Sequence, residues 1–409
     1  MSDDNGKKKL SRRDFLKLAG LAGPGSVLLS AGPLAAADAE APKGPQATQV
    51  PVRPFGKTGV NVAMLALGGM FDIASNQLLL KQALRWGVTY WDTADCYEGG
   101  NGEVGFGQFF KKYPETRKTV FLVTKSDRRD PQGLSELLEQ SLRKLNTDYI
   151  DLYFVHGTKS INELNNDTKV WAEKAKSQGK IKFFGFSAHN NMEDQMQAAA
   201  KLGWIDGLMV SYNFRLMRTD KMRAAVDACT KAGIGLTAMK TQGGGPVSVE
   251  SEAELEMAGR FMKRGFTDGQ AKLKAIWENP HIASICSQMP NMSLLMANVA
   301  AALDRTRLSA ADIEAMDLYA AQTRTGYCAG CTAICEPAVN APVPVGDIMR
   351  SLMYYHSYGD AELARATFSS IPPEIRDGLA DVDYSRAEAL CPQNLRIGEL
   401  VKKAASILV

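Results

Sequence analysis

The chain has 409 residues, enough for one large hydrophobic core and a smaller second one. Hydrophobic residues make up 45% of it and charged residues 23%, as in an ordinary globular protein, and no uninterrupted apolar run is long enough to predict a membrane span. The formal charge of +3 is carried by the first 37 residues, so the remainder is neutral and gives no indication of nucleic-acid binding.

Residues 1–37 have the ordered features of an export signal. Arg12 and Arg13 are followed by Phe15-Leu16-Lys17, a mildly apolar stretch and a small-residue cleavage pattern at residues 34–37. This arrangement resembles a twin-arginine signal peptide. The resemblance implies export of the folded protein by the twin-arginine translocation machinery to the periplasm or another exported location. An uncleaved N-terminal anchor is the alternative. Residues 38–54, rich in Pro, Gln and Thr, predict a linker.

Between residues 55 and 303, apolar strand-like runs alternate with helical patterns. The glycines of Phe55–Val60 predict a tight hairpin, and Leu134–Leu145 has helical periodicity. Eight strands are predicted, at Ala63–Leu67, Thr89–Asp92, Val120–Thr124, Ile150–Val155, Phe183–Ser187, Gly207–Ser211, Gly235–Met239 and Ile282–Cys286. Eight strand–helix repeats predict an α/β fold, a (β/α)8 TIM barrel. The competing fold, an open doubly wound sheet, is expected to have a GxGxxG turn after its first strand, and Leu67-Gly68-Gly69-Met70 does not match that motif.

Residues 304–409 do not continue the alternation of strands and helices, and they predict a separate, cysteine-rich α-helical domain. A helix is expected at Ser309–Gln322, with Ser309 as its N-cap, and another at Ile397–Ile407. A proline-rich segment, Pro337–Val345, lies between them.

Four polar residues lie where barrel strands end, the face at which this fold carries its active sites. Asp92 ends the second strand, Tyr97 follows in the loop, Lys125 ends the third strand and His156 ends the fourth. Each alone has an ordinary structural explanation, such as a helix cap or a packing contact. Their placement on consecutive strands predicts a catalytic site.

Residues 55–303 resemble the aldo/keto reductases. The resemblance rests on Trp86–Tyr97, Asn101-Gly102-Glu103, Thr124-Lys125, Asp148–Tyr153 and Gly185-Phe186-Ser187. It implies a catalytic tetrad of Asp92, Tyr97, Lys125 and His156, a small carbonyl or alcohol substrate, and NADPH or NADH as the cofactor. Tyrosine has a pKa near 10, so Lys125 is expected to lower that pKa while Asp92 keeps the lysine charged and His156 polarises or orients the carbonyl.

The expected nicotinamide contacts are Gly69, Ser187, Met209 and Asn298. Ser187 matches the serine that the family uses for the carboxamide. Ala188 and Met209, however, stand where the family has an asparagine and a glutamine, and a methionine cannot satisfy the amide in the same way. The segment after the eighth strand, Gln288–Ser293, has no basic residue to favour a 2′-phosphate. Thr241 and Gly243–Gly245 could line a phosphate loop.

Four of the seven cysteines predict a metal centre. Cys328, Cys331 and Cys335 form a close trio, and Cys391-Pro392 supplies a fourth thiol. The segment resembles the ferredoxin-like tail of a subset of aldo/keto reductases, and this resemblance implies one [4Fe–4S] cluster. A zinc site and disulfides are the alternatives. The remaining cysteines, Cys96, Cys229 and Cys286, are predicted to pack in the barrel.

The leading hypothesis is an oxidoreductase whose barrel chemistry is coupled to, or braced by, the cluster. The alternative is an exported electron-transfer protein that uses the barrel as a scaffold, without a nicotinamide, and docks another redox protein. Met209 and the missing basic residue favour that alternative, whereas the intact tetrad favours the reductase. A non-catalytic binding module is a third possibility, which the tetrad disfavours.

Overall fold

The computed structural model describes residues 49–248 and 251–409. The predicted signal peptide and residues 38–48 of the predicted linker lie outside the described residues. Within the described ranges, no helix combines the length and the apolar character that a membrane span requires.

A short hairpin begins the described chain. Strands β1 (Val52–Pro54) and β2 (Asn61–Ala63) pair antiparallel around the predicted turn. The prediction of a linker up to residue 54 is therefore wrong at its end. The reason is Arg53, whose guanidinium donates to the backbone carbonyls of Trp277, Asn279 and Ile282 at 2.5, 2.9 and 2.7 Å and ties the strand to the barrel.

Eight parallel strands form a closed barrel, in which the last strand pairs with the first. The strands are β3 (Leu65–Gly68), β4 (Tyr90–Asp92), β5 (Phe121–Ser126), β6 (Ile150–Val155), β7 (Ile181–Ala188), β8 (Gly207–Ser211), β9 (Gly235–Met239) and β10 (Ile282–Gln288). The predicted (β/α)8 barrel is confirmed, and β6, β8 and β9 have the predicted bounds. Because all strands run parallel, their carboxyl ends meet at one face of the barrel.

Helices surround the barrel. All but one bury apolar side chains in the barrel core, and the exception, Glu252–Lys263, packs its apolar face against Ala310–Gln322. The helices are α1 (Gln77–Arg85), α2 (Asn101–Lys112), α3 (Pro131–Lys144), α4 (Asn166–Ser177), α5 (Met192–Leu202), α6 (Asp220–Ala232), α7 (Glu252–Lys263), α8 (Asp268–Trp277) and α9 (Met292–Leu303). Helix α3 contains most of the predicted Leu134–Leu145 helix. It begins earlier because Asp130 caps it by accepting from the Gly133 N–H at 2.8 Å.

The C-terminal part is helical, as predicted. Its helices are α10 (Ala310–Gln322), α11 (Thr332–Cys335), α12 (Val345–Met353), α13 (Ala361–Ser369), α14 (Pro373–Arg376), α15 (Ser385–Leu390) and α16 (Ile397–Ile407), with a π-helical turn at Tyr354–Tyr358. Ser309 caps α10 in a reciprocal capping box with Asp312, as its sequence position predicts.

The C-terminal helices have a hydrophobic cluster of their own, which runs from Cys335 to Leu408. They also pack on the barrel, where the Asn191 N–H donates to the Gly330 carbonyl at 2.8 Å and Asn213 donates to the Tyr327 hydroxyl at 3.0 Å. All described residues belong to one compact unit. The structure sets no boundary at residue 304, so the division into two domains stays a prediction.

Candidate active site

The structure brings the four predicted catalytic residues together at the carboxyl face of the barrel. The Lys125 Nζ donates to Asp92 Oδ2 at 2.7 Å and to the Thr93 carbonyl at 2.7 Å. The hydroxyl of Tyr97, in the turn after β4, lies 3.4 Å from the same nitrogen. The imidazole of His156 packs edge-on against the Tyr97 ring, with the ring centroids 5.6 Å apart.

Burial sets the protonation of the phenol. It raises the pKa of Tyr97 well above the ordinary value, and the nearby charge of Asp92 raises it further. The predicted net lowering of the Tyr97 pKa is therefore wrong, because burial and the Asp92 carboxylate raise that pKa. Burial also raises the pKa of Asp92, although Lys125 opposes this shift. Tyr97 stands as a neutral phenol with a proton to give.

His156 is held by a partner that sequence reasoning missed. Its Nδ1 lies 2.8 Å from Asp127 Oδ1, and Asp127 follows β5 by one residue. Burial lowers the pKa of His156, although the hydrogen bond to Asp127 raises it. A neutral imidazole that donates from Nδ1 to Asp127 carries a lone pair on Nε2. In that state Nε2 can accept a hydrogen bond from the hydroxyl of an alcohol, whereas only the imidazolium form could donate to a carbonyl oxygen.

A cavity of about 480 Å³ opens above the tetrad. Asp92, Tyr97 and His156 line it from the barrel. The C-terminal helices supply the opposite wall, which contains Arg350 and Tyr354. No sequence signal indicated that the cysteine-rich part would complete the barrel's pocket.

The predicted nicotinamide contacts are dispersed. Met209 lines the cavity. Ser187 is buried beside it, and its Oγ accepts from the Gly157 N–H at 3.0 Å. Asn298 donates to the Ser287 Oγ at 3.0 Å. Gly69 serves backbone packing instead, because a Cβ there would meet the Asp92 carbonyl oxygen at 2.7 Å.

The glycine-rich loop after β9 packs against the C-terminal part. A Cβ at Gly245 would lie 1.9 Å from the Gly326 carbonyl oxygen, and one at Gly244 would lie 2.6 Å from the Ser357 Cβ. The Ser357 hydroxyl donates to the Gly245 carbonyl at 2.8 Å. These glycines therefore allow close backbone approach, which explains them without a phosphate.

The four cysteines of the C-terminal part surround one small enclosed cavity of about 20 Å³, lined by Cys328, Cys331, Cys335 and Cys391. All four are free thiols. Burial raises the pKa of Cys328 to about 12 and that of Cys335 to about 12, and the neighbouring cysteines contribute.

The three barrel cysteines differ from one another. Cys229 is buried, as predicted, and its thiol lies 3.4 Å from the Met196 carbonyl oxygen. The packing prediction is wrong for Cys96 and Cys286, because both line the active-site cavity. Cys96 lies 3.6 Å from His156 Nδ1 and Cys286 lies 3.6 Å from Asp92 Oδ2.

Comparison with known proteins agrees with this architecture. An aldo-keto reductase of Schizosaccharomyces pombe, whose name specifies NADP(+), is 30% identical over 179 residues, 40% of this chain and 49% of that protein. An uncharacterized oxidoreductase of Bacillus subtilis is 30% identical over 151 residues, 33% of this chain and 48% of that protein. The chain thus spans about half the length of these curated relatives.

Among solved structures, the holo form of an aldo-keto reductase from Bacillus halodurans superposes with a TM-score of 0.55 at 21% identity, over 66% of this chain and 96% of that one. A thermostable aldo-keto reductase in complex with the inhibitor epalrestat superposes with a TM-score of 0.54 at 24% identity, over 65% of this chain and 98% of that one. These likenesses concern the fold alone. The family model itself matches residues 64–307, more than half of the chain. The chain therefore belongs to the aldo/keto reductase family.

Proposed function

We propose that the chain is an oxidoreductase that reduces a small carbonyl compound, or oxidises the corresponding alcohol, with Tyr97 as the proton donor. The observation that carries this proposal is the Lys125 ammonium, which is buried between the Asp92 carboxylate and the Tyr97 hydroxyl beneath a cavity large enough for a small molecule. A scaffold that only supported electron transfer would have no use for this arrangement.

The residues of the tetrad divide the chemistry among themselves. Tyr97 gives its proton to the carbonyl oxygen as negative charge develops there. The Lys125 ammonium, 3.4 Å from the hydroxyl, stabilises the phenolate that forms. Asp92 keeps the ammonium in place at 2.7 Å. His156, fixed by Asp127, presents Nε2 to the substrate oxygen: the neutral ring accepts from the hydroxyl of the alcohol, and only the protonated ring donates to the carbonyl oxygen.

A reduced nicotinamide is the proposed source of the hydride. Met209 offers an apolar wall to its ring, and Ser187, whose oxygen already accepts from Gly157, keeps a hydroxyl proton for the carboxamide. Asn298, after β10, is the remaining candidate contact on the adenine side.

We also propose that the four C-terminal cysteines hold one [4Fe–4S] cluster. Their side chains face one enclosed cavity whose other walls include Val345, Met349 and Leu395, an apolar environment that suits thiolate ligation of a cluster. Four thiolates would also suit a single tetrahedral zinc, which stays the alternative and is distinguished from a cluster by the metal content of the protein.

One observation favours a second candidate function, electron transfer through the barrel without a nicotinamide. A second cavity of about 50 Å³ is lined by Cys328 and also by His189, Lys240 and Arg350. The last three residues line the active-site cavity as well. A cluster bound to Cys328 would thus lie next to the reaction site, and a redox protein that docks on the C-terminal helices could reach the site through it.

Export by the twin-arginine pathway is proposed from the leader. It accords with this architecture, because a chain folded around its cluster in the cytoplasm would carry its thiolates out already ligated. Fractionation of cells that produce the chain with Arg12 and Arg13 both changed to Lys tests this proposal. Export is supported if the variant stays in the cytoplasm while the unchanged chain is found beyond the cytoplasmic membrane.

Anaerobic titration of the cluster-loaded protein with NADPH and with NADH, followed by the quenching of protein fluorescence, tests the nicotinamide proposal. Saturable binding that weakens in Ser187→Ala, but not in Lys231→Met on the exposed face of α6, supports the reductase. If the folded, metal-loaded protein binds neither nucleotide, the reductase proposal fails and electron transfer is left.

A further inference from the structure

The active-site cavity has a second polar wall, opposite the tetrad, centred on Lys240. This residue directly follows β9 and adopts a left-handed backbone conformation, with φ of 57°. Its Nζ donates to the Tyr354 hydroxyl at 3.1 Å and lies 4.3 Å from the centroid of the Tyr354 ring and 5.0 Å from that of Tyr358. A strained backbone and two aromatic faces from the π-helical turn together fix one ammonium at the cavity.

Lys240 differs from the other cations that line this cavity. Arg129 pairs with Glu163 at 2.8 Å. Lys159 and Arg350 share Asp347, at 2.8 and 3.0 Å. Across residues 49–248 and 251–409, no carboxylate forms an ion pair with Lys240.

The acids around the cavity are committed elsewhere. Asp92 pairs with Lys125 and Asp127 with His156. Glu98, which also lines the cavity, is exposed at its mouth. Burial lowers the pKa of Lys240, but Tyr354 and Tyr358 outweigh burial and raise it, so the ammonium stays charged at the cavity wall and is available to an anion.

Neighbouring charges strengthen the anion-binding character of this wall. Burial raises the pKa of Tyr354, but the charges of Lys240 and Arg350 outweigh it and lower that pKa below its ordinary value. The positive charge that produces this effect would also attract a ligand anion. A single carboxylate is the smallest anionic group that would pair with Lys240.

We propose that Lys240, assisted by the Tyr354 hydroxyl, binds a carboxylate of the substrate, so that the substrates are oxo acids whose carbonyl reaches Tyr97 while the acid group lies against Lys240. This proposal names the substrate class of the reductase site proposed above and rests on it. Lys240 acts here as a specificity-determining residue and takes no part in the proton transfer.

A matched pair of substrates tests it. For the cluster-loaded protein, kcat/KM is measured with 4-carboxybenzaldehyde and with its methyl ester, methyl 4-formylbenzoate. We expect the wild type to favour the acid. Lys240→Met, which keeps the length of the side chain and its contact with the aromatic rings, should lower the acid-to-ester ratio by about 10- to 100-fold, mainly through KM. Lys159→Met removes an equal charge whose partner is within the protein, and should change the ratio far less.

Binding of benzoate, measured by calorimetry, separates this proposal from the reductase proposal. Benzoate binding that is lost in Lys240→Met supports the carboxylate site even if no carbonyl compound is turned over, and in that case only the reductase proposal fails. An unchanged acid-to-ester ratio with unchanged benzoate binding overturns the carboxylate site. Weaker NADPH binding with an unchanged ratio also overturns it, in favour of a nucleotide phosphate. Lys240→Gln replaces Lys240→Met if the latter does not fold.

Discussion

The Lys125 ammonium and the Asp92 carboxylate form an ion pair of 2.7 Å in which the two side chains are only 1% and 3% exposed. Both ends are also held by strands, since Asp92 ends β4 and Lys125 lies in the adjacent β5. A charge pair at this depth is stable only while both partners are present.

Removing one partner should therefore destabilise the fold as well as the site. We expect Asp92→Asn to lower the free energy of unfolding by about 3–5 kcal/mol, because it leaves the Lys125 charge buried and uncompensated. Urea unfolding measures this loss. The double variant Asp92→Asn/Lys125→Met should recover much of the stability without recovering activity. A double variant as unstable as the sum of the two single changes would contradict the pairing.

Because the C-terminal part packs closely on the glycine-rich loop, a glycine-to-alanine substitution in this loop should destabilise the fold, whereas one at an open helical position should not. Gly245→Ala should lower the free energy of unfolding by roughly 1–3 kcal/mol, because the new Cβ would lie 1.9 Å from the Gly326 carbonyl oxygen. Gly259→Ala is the matched control. Gly259 lies within α7 with no atom within 4 Å of its Cβ position. The substitution should therefore raise the free energy of unfolding by about 0.5–1 kcal/mol. Thermal melts compare the two, and equal effects would contradict the packing.

Stability should fall as the pH is lowered below neutrality, partly because of His189. Burial, together with Lys240 and Arg350, places the pKa of His189 well below its ordinary value. The unfolded chain then binds a proton that the folded chain does not, so stability is fully present above the unfolded pKa of about 6.5 and is lost as the pH falls below it. At pH 5 this histidine should lower the free energy of unfolding by up to about 2 kcal/mol.

His189→Gln tests the assignment. Melting temperatures at pH 7.5 and pH 5 should differ less in this variant than in the wild type, since glutamine has no proton to take up. An identical difference in both proteins would assign the pH dependence to other groups.

The thiol cavity predicts which cysteines hold metal. Cys391→Ala should lose most of the iron and acid-labile sulfide of the anaerobically purified protein, together with its visible absorption, because one of four ligands is gone. Cys229→Ala removes a buried thiol of the barrel and should keep the full metal content. Zinc in place of iron, or equal iron loss in both variants, would contradict the proposed cluster.

The sequence predicted the barrel well because its strands are continuous apolar runs, and β6, β8 and β9 were predicted to the residue. The tetrad followed from one rule, that polar residues at the ends of barrel strands form the site. The same rule could have found Lys240, which directly follows β9. Arg350 and Tyr354 gave no such signal, because their role depends on how a separate run of helices packs over the barrel. The direction of the Tyr97 pKa shift was predicted wrongly, since the sequence does not show how deeply the phenol is buried beside Asp92.

The rate of NADPH oxidation with aldehyde substrates, compared between the wild type and Tyr97→Phe, tests the central claim most directly. The account predicts turnover by the wild type and a loss of at least about 100-fold in kcat for Tyr97→Phe, because phenylalanine packs like tyrosine but has no proton to give. Nucleotide affinity should be the same in both. Undiminished turnover in Tyr97→Phe, or no turnover by a wild type that binds the nucleotide, would contradict it.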